Sequence, residues 1–128
     1  MTTVRNRVGS RNYHPHAYQF VFSALRFIQG RLGRDSAYEE TGHISGRELL
    51  EGVRLLSIQH FGMLAIPVLA HWGITSTDDI GRIVFELIET GQMRKNEQDQ
   101  ITDFYGVFDF NKAFLEDYTI DLDSAFTV

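Results

Sequence analysis

The sequence predicts a mainly α fold, a compact single-domain bundle of four to six helices with at most a short β-element. A winged-helix-like α/β arrangement is the alternative. Three observations lead there. Apolar residues recur at helical spacing, most regularly at Ile80, Ile83, Val84, Leu87 and Ile88. Ser45 and Glu48 stand three apart ahead of an apolar run, the pattern of a capping box. Glycines close the apolar segments, at Gly33, Gly62, Gly73 and Gly91. The 128 residues, 43% of them hydrophobic, suit one domain and are too apolar for a disordered chain.

The elements follow in chain order. Pro15 reads as the last residue before a first helix. Between residues 17 and 32 polar residues recur at Gln19, Ser23, Arg26 and Gly30, at spacings of four, three and four. That is a narrow wet stripe on an otherwise apolar helix, which should therefore be central to the core. Residues 34–42 are polar and read as a loop. A second helix starts after Ser45, with Leu49, Leu50, Val53, Leu56 and Phe61 on its apolar face. Gly52 sits in mid-helix, where glycine is disfavoured by about 1 kcal/mol, so close packing is expected there.

Residues 63–72 are apolar almost throughout, with Pro67 inside them. Either a helix starts near Ile66 with Pro67 in its first turn, or it kinks at Pro67. Thr75, Ser76 and Thr77 offer a cap, and Asp78 and Asp79 suit the positive end of the next helix. Residues 92–110 admit a short helix carrying Ile101, Phe104, Tyr105 and Phe108, or a hairpin. Asp109 is placed to cap a last helix with Phe110, Phe114 and Tyr118. The core expected from this pattern contains Phe22, Leu25, Leu49, Val53, Leu56, Trp72, Ile80, Ile83, Val84 and Leu87.

Charge divides the chain. Residues 1–14 carry Arg5, Arg7 and Arg11 without an acid and read as a flexible basic arm. Residues 15–118 form the helical domain. Residues 119–128 read as an acidic frayed tail, within a last quarter that sets Lys112 against eight acids. The net charge is −5, and the would-be recognition helix, residues 78–89, carries Arg82 against four acids. Nucleic acid is thus not expected as a partner beyond weak contact by the arm. No apolar run reaches the ~18 residues of a membrane span, and the basic start lacks the apolar stretch of a signal peptide, so no membrane partner is expected. The absence of cysteine removes disulfides, thiol catalysis and Cys-type zinc sites, and fits a reducing cytoplasm.

The chemistry-bearing residues form no constellation. There is no phosphate loop, dinucleotide fingerprint, nucleophile elbow or His-Glu-x-x-His pair. The five histidines are His14, His16, His43, His60 and His71. His14 and His16 flank Pro15, but two ligands do not make a metal site. His60 and His71 sit near helix C-termini, where the dipole favours an imidazolium. Glu39–Glu40 and Asp78–Asp79 are adjacent pairs whose side chains point apart, so neither is an acid–base dyad. No catalytic, cofactor or metal residue is expected, and no cofactor. The candidate partner-binding residues are His43 before the capping box, Arg47 and Arg54 on one face of the second helix, and Trp72. Pairing of Glu51 with Arg47 and Arg54 competes with an anionic partner.

The segment from His43 through Ser45, Gly46, Glu48 and Gly52 to Arg54 resembles the central motif of a small bacterial family without an established activity, described chiefly from planctomycetes and verrucomicrobia. The resemblance continues through His60, Phe61 and Gly62, through Trp72 and Gly73, through residues 79–85, and through Asp103, Phe104, Asp109 and Phe110 to Phe114. Pro67 departs from that pattern, which has a polar helix residue there. The resemblance implies a bacterial, intracellular, single-domain protein and transfers no catalytic residue. Two functions are compatible with all of this: a non-catalytic protein-interaction module acting on another protein or on itself, and a winged-helix-like nucleic-acid-binding or regulatory protein.

Overall fold

A computed structural model describes residues 13–34, 44–94 and 100–116. The basic arm before Tyr13, His43 and the acidic tail lie outside the described residues. The fold is mainly helical, and no strand occurs among the described residues. Among the described residues, four helices, α1 (Pro15–Arg31), α2 (Gly46–Phe61), α3 (Ala65–His71) and α4 (Thr77–Glu89), are followed by a 3-10 turn, Ile101–Phe104, and a wide helical turn, Lys112–Glu116.

Pro15 is the first helical residue of α1, where its missing N–H leaves no bond unmade. His14 caps the helix, its Nδ1 accepting from the His16 N–H at 3.0 Å. The predicted stripe of Gln19, Ser23, Arg26 and Gly30 faces solvent. The buried line opposite it is Ala17, Phe20, Val21, Ala24 and Ile28. Phe22 and Leu25, expected in the core, are only partly buried, because they flank that line. Small residues on it let α2 come close. A Cβ on Gly52 would stand 2.9 Å from the Ala24 carbonyl oxygen and 2.9 Å from Ile28 Cβ. Glycine at this position is a requirement of the α1–α2 crossing.

The capping box forms as expected: Glu48 N–H donates to Ser45 Oγ, and Ser45 N–H to Glu48 Oε1. Gly62 ends α2 at φ 55°, a 3-10 turn Gly62–Leu64 follows, and α3 starts at Ala65. Pro67 is thus the third residue of α3, within the first turn, where no intrahelical acceptor awaits its nitrogen. The first of the two expected arrangements is the one adopted. These three pieces run on as one helical segment, Gly46–His71, of 26 residues, with an 18-residue window of mean hydropathy 1.5. That meets the length and composition of a span and corrects the reading that no such segment exists, which counted only unbroken apolar residues. The same segment buries Leu49, Leu50, Val53, Leu56, Ala65 and Leu69 in the core.

The hairpin allowed for residues 92–110 is not formed among the described residues. Its backbone donors go elsewhere. Gly106 N–H donates to Asp78 Oδ1 at 2.9 Å, and Val107 N–H to Thr77 Oγ1 at 3.1 Å, so this loop is tied to the start of α4. Among the described residues the winged-helix alternative has no wing. The aromatic residues close the core instead. Phe104, Phe110 and Phe114 are buried, and Phe114 is the largest side chain fully out of water. Phe104 lies over two glycines: a Cβ on Gly81 would be 2.7 Å from Phe104 Cβ, and one on Gly46 would be 3.1 Å from its ring. It clamps α4 to the start of α2.

Candidate interaction surface and the buried polar network

The most densely bonded polar group is Asp79, the third residue of α4, with 9% of its surface exposed. Its Oδ2 accepts from the N–H of Thr75 (2.9 Å) and of Ser76 (3.2 Å) and from the Thr75 hydroxyl (3.1 Å). Its Oδ1 accepts from the Tyr13 hydroxyl (2.5 Å) and Arg82 Nη1 (2.8 Å). About two turns along α4, Glu86 Oε1 accepts from the Tyr18 hydroxyl at 2.8 Å. α1 is thus fastened to α4 by two phenol–carboxylate bonds as well as by apolar packing. With both oxygens occupied and almost no access to solvent, Asp79 has no lone pair left to serve as a general base. Asp78, its neighbour, faces the Gly106 loop, so the pair points apart as the sequence implies.

These bonds set the ionisation of the groups that make them. Burial pushes the Asp79 carboxyl up. The hydrogen bonds from Tyr13 and Thr75 and the charge of Arg82 outweigh it and leave the carboxyl below its ordinary value. Burial, then the bond to Asp79, pushes the Tyr13 phenol up to about 12. Tyr18 moves the same way, by burial and by Glu86. The Ser45 N–H lowers the Glu48 carboxyl, burial opposes it, and Arg34 adds to the lowering. Lowered carboxyls contribute stability that is present above ordinary carboxylate values, ~4, and lost as pH falls through the folded ones. Raised phenols contribute stability that is present below ~10 and lost as pH rises past it. Unfolding free energy is expected to plateau between those limits and to fall on both flanks. Tyr13 and Tyr18 should ionise late in an ultraviolet titration of the native protein. Ionisation of both at the ordinary phenol value would contradict the described network.

His14, His16 and His71 gather where α1 begins and α3 ends. The His14 ring centroid is 4.7 Å from that of His16 and 5.9 Å from that of His71, and His14 N–H donates to the Trp72 carbonyl at 3.0 Å. Among the described residues no group of three His, Asp or Glu is placed to hold a metal ion.

Of the four candidate partner residues, the three that are described do not form one cluster. His43 lies outside the described residues. Arg47 is exposed on the first turn of α2. Arg54 is largely covered and is held by Glu51, its Nε donating at 3.1 Å. Trp72 was expected in the core and is only partly buried, because it follows the last turn of α3; its ring rests on Phe20 and Phe61 with His16 at its edge. Arg47 and Trp72 therefore mark opposite ends of the Gly46–His71 segment.

The surface feature that sequence patterning misses is the corner between α2 and α3. Met63 and Leu64, adjacent on the 3-10 turn, are 67% and 64% exposed. Leu115, on the turn Lys112–Glu116 that packs against this corner, is 47% exposed. The stretch from Gly52 to Thr77 contains no acid in a chain of net charge −5. The signal was present as Gly62 followed by Pro67: a left-handed stop and a proline five residues on force a turn between two apolar helices, and a turn throws side chains outward. Comparison with protein-family models, with curated proteins and with solved structures finds no match to this chain.

Proposed function

We propose that this protein is a non-catalytic interaction module of the bacterial cytoplasm that docks another protein, or a second copy of itself, through the α2–α3 corner. The carrying observation is the adjacent pair Met63 and Leu64, two large apolar side chains each about two-thirds exposed, on a turn that packs against the turn carrying the half-exposed Leu115. Large exposed apolar side chains brought together in this way mark a candidate contact site. Arg47 and Trp72, with His43 and Arg54, are the secondary contacts of this reading. Membership of the bacterial family that residues 43–54 and 79–85 resemble belongs to it as well. Nucleic acid is left out because residues 78–89 carry four acids against Arg82, and a membrane because Leu49, Leu50, Val53, Leu56, Ala65 and Leu69 of the Gly46–His71 segment pack in the core.

The test is capture from bacterial lysate with the full chain and with Leu64→Asp. A partner retained in stoichiometric amount by the first and lost by the second is the expected result. Labelled duplex and single strands should stay unbound at ~150 mM salt, where phosphate contacts are already weakened. Capture that ignores Leu64→Asp, or tight binding of duplex, would remove the corner from its role.

A further inference from the structure

We propose that His14 is a proton-sensitive cap: its neutral imidazole holds the start of α1 against the end of α3, and protonation of Nδ1 loosens that junction. This goes beyond the contact reading and does not depend on it. The cap is of an unusual kind. Helices favour Ser, Thr, Asp or Asn at the N-cap, and their oxygens accept at any pH near neutrality. Here the acceptor is a ring nitrogen, Nδ1 of His14, which takes the His16 N–H at 3.0 Å. With Nδ1 accepting, the ring proton is assigned to Nε2, and the ring has no second acceptor. Another proton goes to Nδ1. It turns the acceptor into a donor and leaves the His16 N–H without its partner.

The surroundings of His14 oppose that proton. The cap lies at the N-terminal end of a 17-residue helix, where the backbone dipole disfavours positive charge. The ring neighbours of His14 are imidazoles too. His16 of α1 stands 4.7 Å away between centroids, and His71 of α3 5.9 Å. Among the described residues no carboxylate forms an ion pair with any of the three. Asp79 of α4, which reaches this end of α1 through Tyr13, is shared with Arg82. One imidazolium here therefore faces two groups that take the same charge.

The junction at stake is small. His14 N–H donates to the Trp72 carbonyl at 3.0 Å, and the His16 ring meets the indole at 6.0 Å between centroids. An imidazole changes charge between about pH 5 and 8. The lowered carboxyls of Glu48 and Asp79 and the raised phenols of Tyr13 and Tyr18 keep one state there, so that network adds no step of its own.

The test compares the full chain with the full chain carrying His14→Asn, which keeps a side-chain acceptor that does not titrate. Amide exchange is measured at ~pH 7.5 and ~pH 5.5, which bracket the charge change of an ordinary imidazole, and is divided by the rate of the unstructured chain. In the unsubstituted chain, protection of the His16 and Ala17 amides is expected to fall roughly fivefold at the lower pH, the weight of one N-cap, while α4 holds. In His14→Asn it is expected to stay constant. Equal protection at both pH values in the unsubstituted chain, a fall shared by α4, or the same fall in His14→Asn overturns the proposal. Trp72, the one tryptophan of the chain, gives a second readout. His16→Gln removes the imidazole at the indole edge, and with it direct quenching by that ring. Trp72 emission in this variant should still shift between the two pH values, and adding His14→Asn should abolish the shift. No shift in His16→Gln, or a shift that survives in the double variant, also overturns the proposal.

Discussion

Phe104→Ala is expected to destabilise the fold by about 3–5 kcal/mol, the range for removing a buried phenylalanine. The site has little means of collapsing. The ring lies against Gly81 and Gly46, whose missing side chains made room for it, and it meets Phe85 edge-on at 6.3 Å. Two glycines have no side chain to move into the void, so the cavity persists. Urea unfolding followed by circular dichroism measures the loss. A cost below about 1 kcal/mol, the scale of a conservative core swap, would mean that Phe104 is not the clamp between α2 and α4. Gly81→Ala gives the converse check, since the added carbon would stand 2.7 Å from Phe104 Cβ and the ring would have to leave its seat.

Asp79→Ala is expected to lower stability by about 2–4 kcal/mol, because it strands several donors at once. The Tyr13 hydroxyl and the N–H groups of Thr75 and Ser76 lose their acceptor together, and Arg82 loses its counter-charge. Arg82 is close to half exposed, so its share is the smallest. Asp79→Asn keeps an acceptor and should cost about half as much. Tyr13→Phe should cost about 1 kcal/mol in the native background and close to nothing once Asp79 is alanine. Additive losses would show that the two groups do not interact in solution. The acid flank of the stability profile should also flatten in Asp79→Asn, since the carboxyl that is lowered by folding is gone.

What could be read from the sequence was what lies within one or two helical turns. The Ser45–Glu48 box, the glycine stops, the close approach at Gly52 and the apolar face of α4 each follow from spacings of three or four residues. α1 shows the limit of that signal. It is apolar on so many sides that the pattern names its wet stripe but not its buried line, which holds Ala17 and Ala24 and leaves Phe22 and Leu25 partly buried. The Tyr13–Asp79 bond joins residues 66 apart, and no local period announces it. Residues 92–110 admitted a short helix or a hairpin; a helical turn forms at Ile101–Phe104, and the N–H groups of Gly106 and Val107 go to side chains of α4, a long-range pairing that no local spacing shows. The candidate contact residues were chosen by type, as arginine, histidine and tryptophan. The exposure of Met63 and Leu64 depends on where the chain turns, which type does not reveal.

The two phenol–carboxylate bonds that fasten α1 to α4 impose an order on synthesis. α1 leaves the ribosome first. Tyr13 and Tyr18 must then wait for acceptors encoded 66 and 68 residues later. At roughly 5–20 residues per second, that delay is about 3–14 s. Throughout it α1 has only its narrow polar stripe to face water, and Gly52, which lets α2 settle against Ala24, arrives well before Asp79. Until Asp79 and Glu86 are made, the hydroxyls of Tyr13 and Tyr18 have no carboxylate to bond and the α4-facing side of α1 has no helix to pack on.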